Sequence, residues 1–269
     1  MKKTALSAAL VALSLSLVLS SCDAMFNTNL FKAAGLGQFK LSNADLSTAS
    51  GVQTAADSSP QTFYSQLAAD PTSESQVLTT LVGDPSNPST TASDSNKVLA
   101  AAIEINTTDA GAAVNNVAGQ IPTLMQSSTI DASSISTFVK NVLPSDIVVT
   151  PNSPMPQAFS DMVTSFQQAA PLLSSLNTTT ALDPVPGGTS ADTAYYALVS
   201  IAIDSIQPTS SYPTTADALW AVLTNPTVSN PSTAITFNTN NTFNTTTGGT
   251  VYNLLTDAGI DPTKFQSSN

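Results

Sequence analysis

The chain is 269 residues long with a net charge of −11, no histidine, and seven basic residues that are all lysines. Without histidine, Ser-His-Asp and Cys-His catalysis lack their base, and a chain with one cysteine leaves zinc without its usual ligands. The acidic balance and the missing arginines also exclude nucleic acid, whose phosphates need clustered Lys or Arg. Charged residues make up only 9% of the chain, against about 25% in typical domains. Ser, Thr, Asn and Gln take their place, so the expected surface is polar but largely uncharged. With 41% hydrophobic residues there is enough apolar material for a core.

In chain order, the first element is an export signal. Met1, Lys2 and Lys3 form a positive end, and the apolar run from Ala5 to Leu19 follows. The run is shorter than the ~20 residues of a spanning helix and is interrupted by Ser7, Ser14 and Ser16. It ends in Leu19-Ser20-Ser21-Cys22, which resembles the lipobox of bacterial lipoproteins: an aliphatic residue, two small residues, then cysteine. The resemblance covers the first 22 residues. It implies lipidation of the Cys22 thiol with a diacylglyceryl group, cleavage before Cys22, and acylation of the new amino group, a palmitate-type modification. An ordinary secretory signal with an uninvolved cysteine is the alternative. Cysteine arithmetic favours the lipid, because an exported chain with a single cysteine forms no internal disulfide. Two or three acyl chains hold a protein on a bilayer where one does not. The expected product is therefore anchored in the cell membrane or outer membrane and faces the periplasm or the exterior. Asp23 resembles the inner-membrane retention signal of some bacteria and leaves the choice of membrane open.

Periodic apolar stripes then predict a series of helices. They are Val77, Leu78, Leu81 and Val82, with Gly83 as a C-terminal cap; Val98, Leu99, Ala102 and Ile103; Ile135, Phe138, Val139, Val142 and Leu143; and Phe159, Met162, Val163, Phe166 and Ala170. The clearest stripe is Tyr195, Leu198, Val199, Ala202, Ile203 and Ile206, followed by Ala216, Leu219, Trp220 and Leu223, and by Val251, Leu254, Leu255 and Ala258. Ser59-Pro60, Asp70-Pro71, Ser153-Pro154 and Asp261-Pro262 each read as a cap before a first-turn proline. Thr214 to Asp217 and Thr72-Ser73-Glu74 resemble capping boxes. Asp146–Thr150 and Thr233–Phe237 read as extended. Loops are expected at 83–96, 150–156 and 182–190, and the longest at 225–250. No fixed repeat period is present.

Few residues stand out as chemistry. Paired carboxylates are the one acid–base device that needs no histidine, but the chain has two glutamates, Glu74 and Glu104, and 16 scattered aspartates, several of them explained by helix starts or turns. No catalytic residue is assigned. Asp84, Asn87, Asp94 and Asn96 form a loose oxygen cluster without the ligand spacing of a calcium loop, so no metal or cofactor is expected. Tyr195 and Trp220 fall on apolar stripes, whereas Tyr196 lies off its stripe and is the candidate for an exposed contact. The Asn-x-Thr sequences at Asn106, Asn177, Asn240 and Asn244 follow from Thr and Asn abundance.

The expected fold is all-α, an irregular helical bundle or array of helical hairpins with long polar loops. The expected divisions are 1–21 signal peptide, 22–58 lipidated segment with helices, 59–224 helical domain, 225–250 Thr/Asn-rich loop, and 251–269 C-terminal helix and tail. The expected role is a binding or structural module at the cell envelope, not an enzyme. It would be held on the bilayer through acylated Cys22 and face a protein or glycan partner. A solute-binding lipoprotein of a transporter is the alternative, and it calls for an α/β framework.

Overall fold

The computed structural model describes residues 39–117, 141–178, 182–204, 206–224, 236–237 and 250–259. Two compact units are distinguished, Met1–Asn43 and Ala44–Asn269. In the first, the described residues hold a 3₁₀ turn, Leu41–Asn43. The second is the helical domain, and it takes in the helical end of the segment expected at 22–58.

Eight α-helices order the described part of that domain: α1 Ala49–Ser58, α2 Pro60–Ala68, α3 Pro71–Val82, α4 Asp94–Asn106, α5 Gln157–Ser174, α6 Ser190–Asp204, α7 Thr215–Thr224 and α8 Thr250–Asp257. Residues 110–117 are helical as well. The fold is all-α. Local chemistry fixes most starts, because short polar side chains satisfy the free N–H groups of a first turn. Thr48 Oγ1 accepts from Gly51 N–H at 3.1 Å, Asp70 Oδ1 from Ser73 N–H at 3.2 Å, and Ser93 Oγ from Asn96 N–H at 3.2 Å. Thr214 and Asp217 exchange side-chain and backbone bonds at 3.0 and 3.2 Å, a reciprocal box that opens α7. Thr189 and Asp192 do the same ahead of α6. The cap of α3 is therefore Asp70, not the Thr72-Ser73-Glu74 triplet. Gly83 ends α3 at φ +80°, as expected from its place after Val82.

One expected start moves. The Ser153 hydroxyl donates to the Thr150 carbonyl at 2.8 Å and closes a turn, and α5 begins at Gln157 after Pro156. Of the two stretches read as extended, residues 147–150 join no sheet, and Thr236–Phe237 pairs antiparallel with Ile206–Gln207. The other pairing is a small hairpin, Gly83–Asp84 with Asn87–Pro88, inside the loop expected at 83–96. The expected helix around Ile135 to Leu143 and the Asp261-Pro262 cap fall largely or wholly outside the described residues.

Helix α4 is the axis of the domain. Every residue from Lys97 to Ile105 is buried, because α1, α2, α3, α5 and α6 all pack on it. Helices α4 and α5 run antiparallel: Lys97 near the start of α4 reaches the Ser175 carbonyl, and Thr108 just past its end reaches Ser165. Phe63, Phe159, Phe166, Leu67, Leu99 and Ile103 are the largest side chains sealed in this core. Phe159 lies 5.0 Å from Trp220, whose indole N–H donates to the Ser153 carbonyl at 2.8 Å.

Helix α6 faces the opposite way from its apolar stripe. Thr193, Ala194, Tyr196, Ala197, Ser200 and Ile201 are buried, whereas Tyr195, Leu198, Val199, Ala202 and Ile203 are only half-buried. Small residues let α6 approach α5 closely, and that contact outranks the larger apolar surface on the other side. Tyr196 is thus corrected from exposed contact to core residue.

Candidate functional site: a two-glutamate cleft

The two buried charges of α4, Lys97 and Glu104, stand two helical turns apart and are treated differently. Lys97 Nζ lies 3.3 Å from Asp94 Oδ1 and 3.2 Å from the Ser175 carbonyl oxygen. Glu104 is 7% exposed, and its carboxyl has no hydrogen-bond partner among the described residues. It forms instead part of the wall of a cleft of about 460 Å³ built by α3, α4 and α5, within the range of small-molecule sites.

Each wall follows from local structure. Helix α3 presents Glu74, Ser75, Leu78 and Thr79 at i, i+1, i+4 and i+5, one face of a helix. The end of α4 supplies Glu104, Thr107 and Thr108, and α5 supplies Asp161, Thr164, Ser165 and Gln168. The lining holds carboxylates, hydroxyls and an amide beside a small apolar strip of Ala68, Pro71, Leu78 and Pro85, with no lysine and no aromatic ring among the described residues. The Thr107 hydroxyl lies 2.7 Å from Glu74 Oε1 and 2.8 Å from the Ile103 carbonyl oxygen. Thr108 donates to Ser165 Oγ at 2.9 Å, and Ser165 donates to the Asp161 carbonyl at 3.0 Å. Asp161 Oδ1 accepts from Gln157 Nε2 at 2.7 Å.

Burial sets the electrostatics. Desolvation, followed by repulsion from Glu74, pushes the Glu104 carboxyl up to about 7. Glu74 is raised as well by desolvation, and the Thr107 hydroxyl bond acts against that rise. Near neutral pH the cleft therefore contains a carboxyl on the verge of ionising beside a second carboxyl group. Acid–base catalysis needs two groups driven apart in pKa. Here both move upward, Glu104 by the larger shift, and the Thr107 hydroxyl lies against one Glu74 oxygen.

Among the described residues, no group of three or more His, Cys, Asp or Glu side chains is arranged to hold a metal ion. Three of the four side chains in the oxygen cluster considered for calcium are engaged elsewhere. Asp84 accepts from its neighbour Ser86 at 2.6 and 2.9 Å, Asp94 serves Lys97 and the Asn177 N–H, and Asn96 donates to the Leu81 carbonyl. Tyr196 shares its hydroxyl with Asn106 at 3.0 and 3.2 Å, and burial pushes it up to about 12. Cys22 lies outside the described residues. The signal that pointed to the cleft was rarity: both glutamates of the chain line it. Their separation by 30 positions in sequence hid the pairing until α3 packed on α4. No helix of the described residues is long and apolar enough to cross a membrane. Comparison with protein-family models, curated proteins and solved structures finds no match for the chain.

Proposed function

We propose that this chain is a lipid-anchored protein of the bacterial cell envelope, whose helical domain is a binding module that offers the Glu74/Glu104 cleft to a small polar ligand. The observation that carries the binding half is the unpartnered carboxyl of Glu104. A buried ionisable group without a hydrogen bond lowers stability, and Glu104 directs that cost onto the wall of an open cleft, where a ligand can relieve it. The anchoring half is supported by Leu19-Ser20-Ser21-Cys22 and by the single cysteine. The all-α reading supports this over a transporter's solute receptor, which calls for an α/β framework: among the described residues, sheet amounts to two pairs of two-residue strands.

Anchoring is tested by expressing the full chain in a bacterial host, fractionating the cells and measuring the mass of the N-terminal peptide. The proposal expects a peptide that begins at Cys22 and carries acyl chains in the membrane fraction, and release of the Cys22→Ser chain from that fraction. A free Cys22 thiol in the mature protein overturns the anchor.

A further inference from the structure

We infer that the cleft takes a small organic cation, with a primary ammonium group seated between Glu104 and Glu74 and the rest of the ligand against the Thr and Ser hydroxyls of α4 and α5. The inference rests on the reading of this cleft as the binding site and adds the chemical class of its ligand.

Charge narrows the class first. Among the described residues, the titratable groups that line the cleft beside Glu104 are Glu74 from α3 and Asp161 from α5, and no lysine lines it. An anion would meet uncompensated repulsion from carboxylates in a partly desolvated space. The second constraint is hydrogen bonding. Glu104 is more than nine-tenths buried and offers acceptor oxygens that no described residue uses. An ionised carboxylate is an acceptor only, and a primary ammonium brings three donors. A bond between them is charge-assisted and stronger than a neutral one. A neutral polyol lacks that charge, and a neutral sugar would find no aromatic face among the described residues that line the cleft. A metal ion is disfavoured because the carboxylates are not gathered as a ligand set among the described residues. The volume, about 460 Å³, suits a molecule of metabolite size rather than a bare ion.

A proton accompanies binding. Glu104 is largely neutral below its midpoint near 7, so seating an ammonium there requires the carboxyl to release its proton to solvent. Binding therefore tightens as pH rises from 5.5 to 8.5, a range in which an alkylammonium keeps its charge. At pH 6.5 it liberates a fraction of a proton.

The test uses the full-length chain in a neutral detergent and three probes of equal length: 1,4-diaminobutane, 4-amino-1-butanol and 1,4-butanediol. Calorimetry and amide chemical-shift mapping are run for each. The two amines are expected to bind, with shifts centred on Glu74, Glu104, Thr107 and Ser165 and with the diol weaker by at least about tenfold, the scale of a charge-assisted bond. Glu104→Gln should weaken the amines by a similar factor and abolish proton release, while its unchanged spectrum away from the cleft shows that the chain is folded. Equal binding of diol and diamine at the cleft overturns the cationic class and leaves the binding site standing. Calcium displacing the diamine at equal concentration overturns it in favour of a metal site. No shift in the cleft with any probe overturns both the class and the site.

Discussion

Replacing Glu104 by glutamine removes the charge from the centre of the domain while preserving its shape, and its effect should depend on pH. In the folded chain the carboxyl ionises at about 7 instead of its ordinary 4.5. A group raised in this way adds stability that is fully present below 4.5, fades as pH climbs through the folded midpoint, and is gone above it. At about 1.4 kcal/mol per pH unit, the shift amounts to ~3 kcal/mol of stability lost by the native protein between pH 4.5 and 8.5. The substituted amide carries no proton to lose. Urea denaturation of both proteins should give similar free energies at pH 4.5, and at pH 8.5 the variant should be the more stable by about 2–3 kcal/mol. Titration of the carboxylates other than Glu74, which Glu104 repels, is common to both proteins and cancels in the difference. A difference between the two that stays constant within about 0.5 kcal/mol from pH 4.5 to 8.5 would refute the claim that Glu104 is desolvated and unpartnered.

Four further outcomes follow from the same structure. Glu74→Gln should lower the Glu104 midpoint, read by carboxyl carbon NMR, yet leave it above 4.5, because desolvation is the larger cause and repulsion from Glu74 the smaller. Tyr64 and Tyr196 should respond in opposite directions to loss of the hydroxyl. The buried Tyr64 hydroxyl has no hydrogen-bond partner among the described residues, so Tyr64→Phe should stabilise by about 1 kcal/mol, whereas Tyr196→Phe takes away the donor to Asn106 Oδ1 and should cost about 1 kcal/mol in the same denaturation assay. Phe166→Ala empties a sealed core position on α5 and should cost about 3–5 kcal/mol, visible as a lower urea midpoint at unchanged slope. Gly51→Ala would drive its Cβ into the Asp45 carbonyl and should cost about 1–3 kcal/mol, although replacing a helical glycine by alanine ordinarily stabilises.

The helical class was legible because most of its signals are local. The stripes at Val77 to Val82 and Phe159 to Ala170 form buried faces, and the Thr214–Asp217 box opens α7. Helix α6 shows where periodicity stops informing. Both of its faces carry apolar residues, and which one turns inward depends on how closely α5 can approach, which small residues decide and hydropathy does not. The reading of Tyr196 as exposed failed for that reason. Helix α4 is a second case, since a stripe at Val98 to Ile103 gives no hint that the polar side of the same helix is buried too. The cleft was illegible for a related reason. Glu74 and Glu104 sit on different helices, and only the packing of α3 on α4 turns two rare residues into a pair. Ser153-Pro154 has the composition of a helix start but forms a turn, because Pro156 delays the helix to Gln157.

Photo-crosslinking in intact cells shows whether the domain binds a ligand through this cleft. The photoreactive residue is placed at Thr79, exposed on the cleft wall, and for comparison at Thr256, exposed on α8. Mass spectrometry of the recovered protein should show a discrete small-molecule adduct from position 79, none from position 256, and loss of the adduct when Glu104 is replaced by glutamine. Adducts that are the same from both positions, or that persist unchanged without Glu104, would rule out binding through the Glu74/Glu104 cleft.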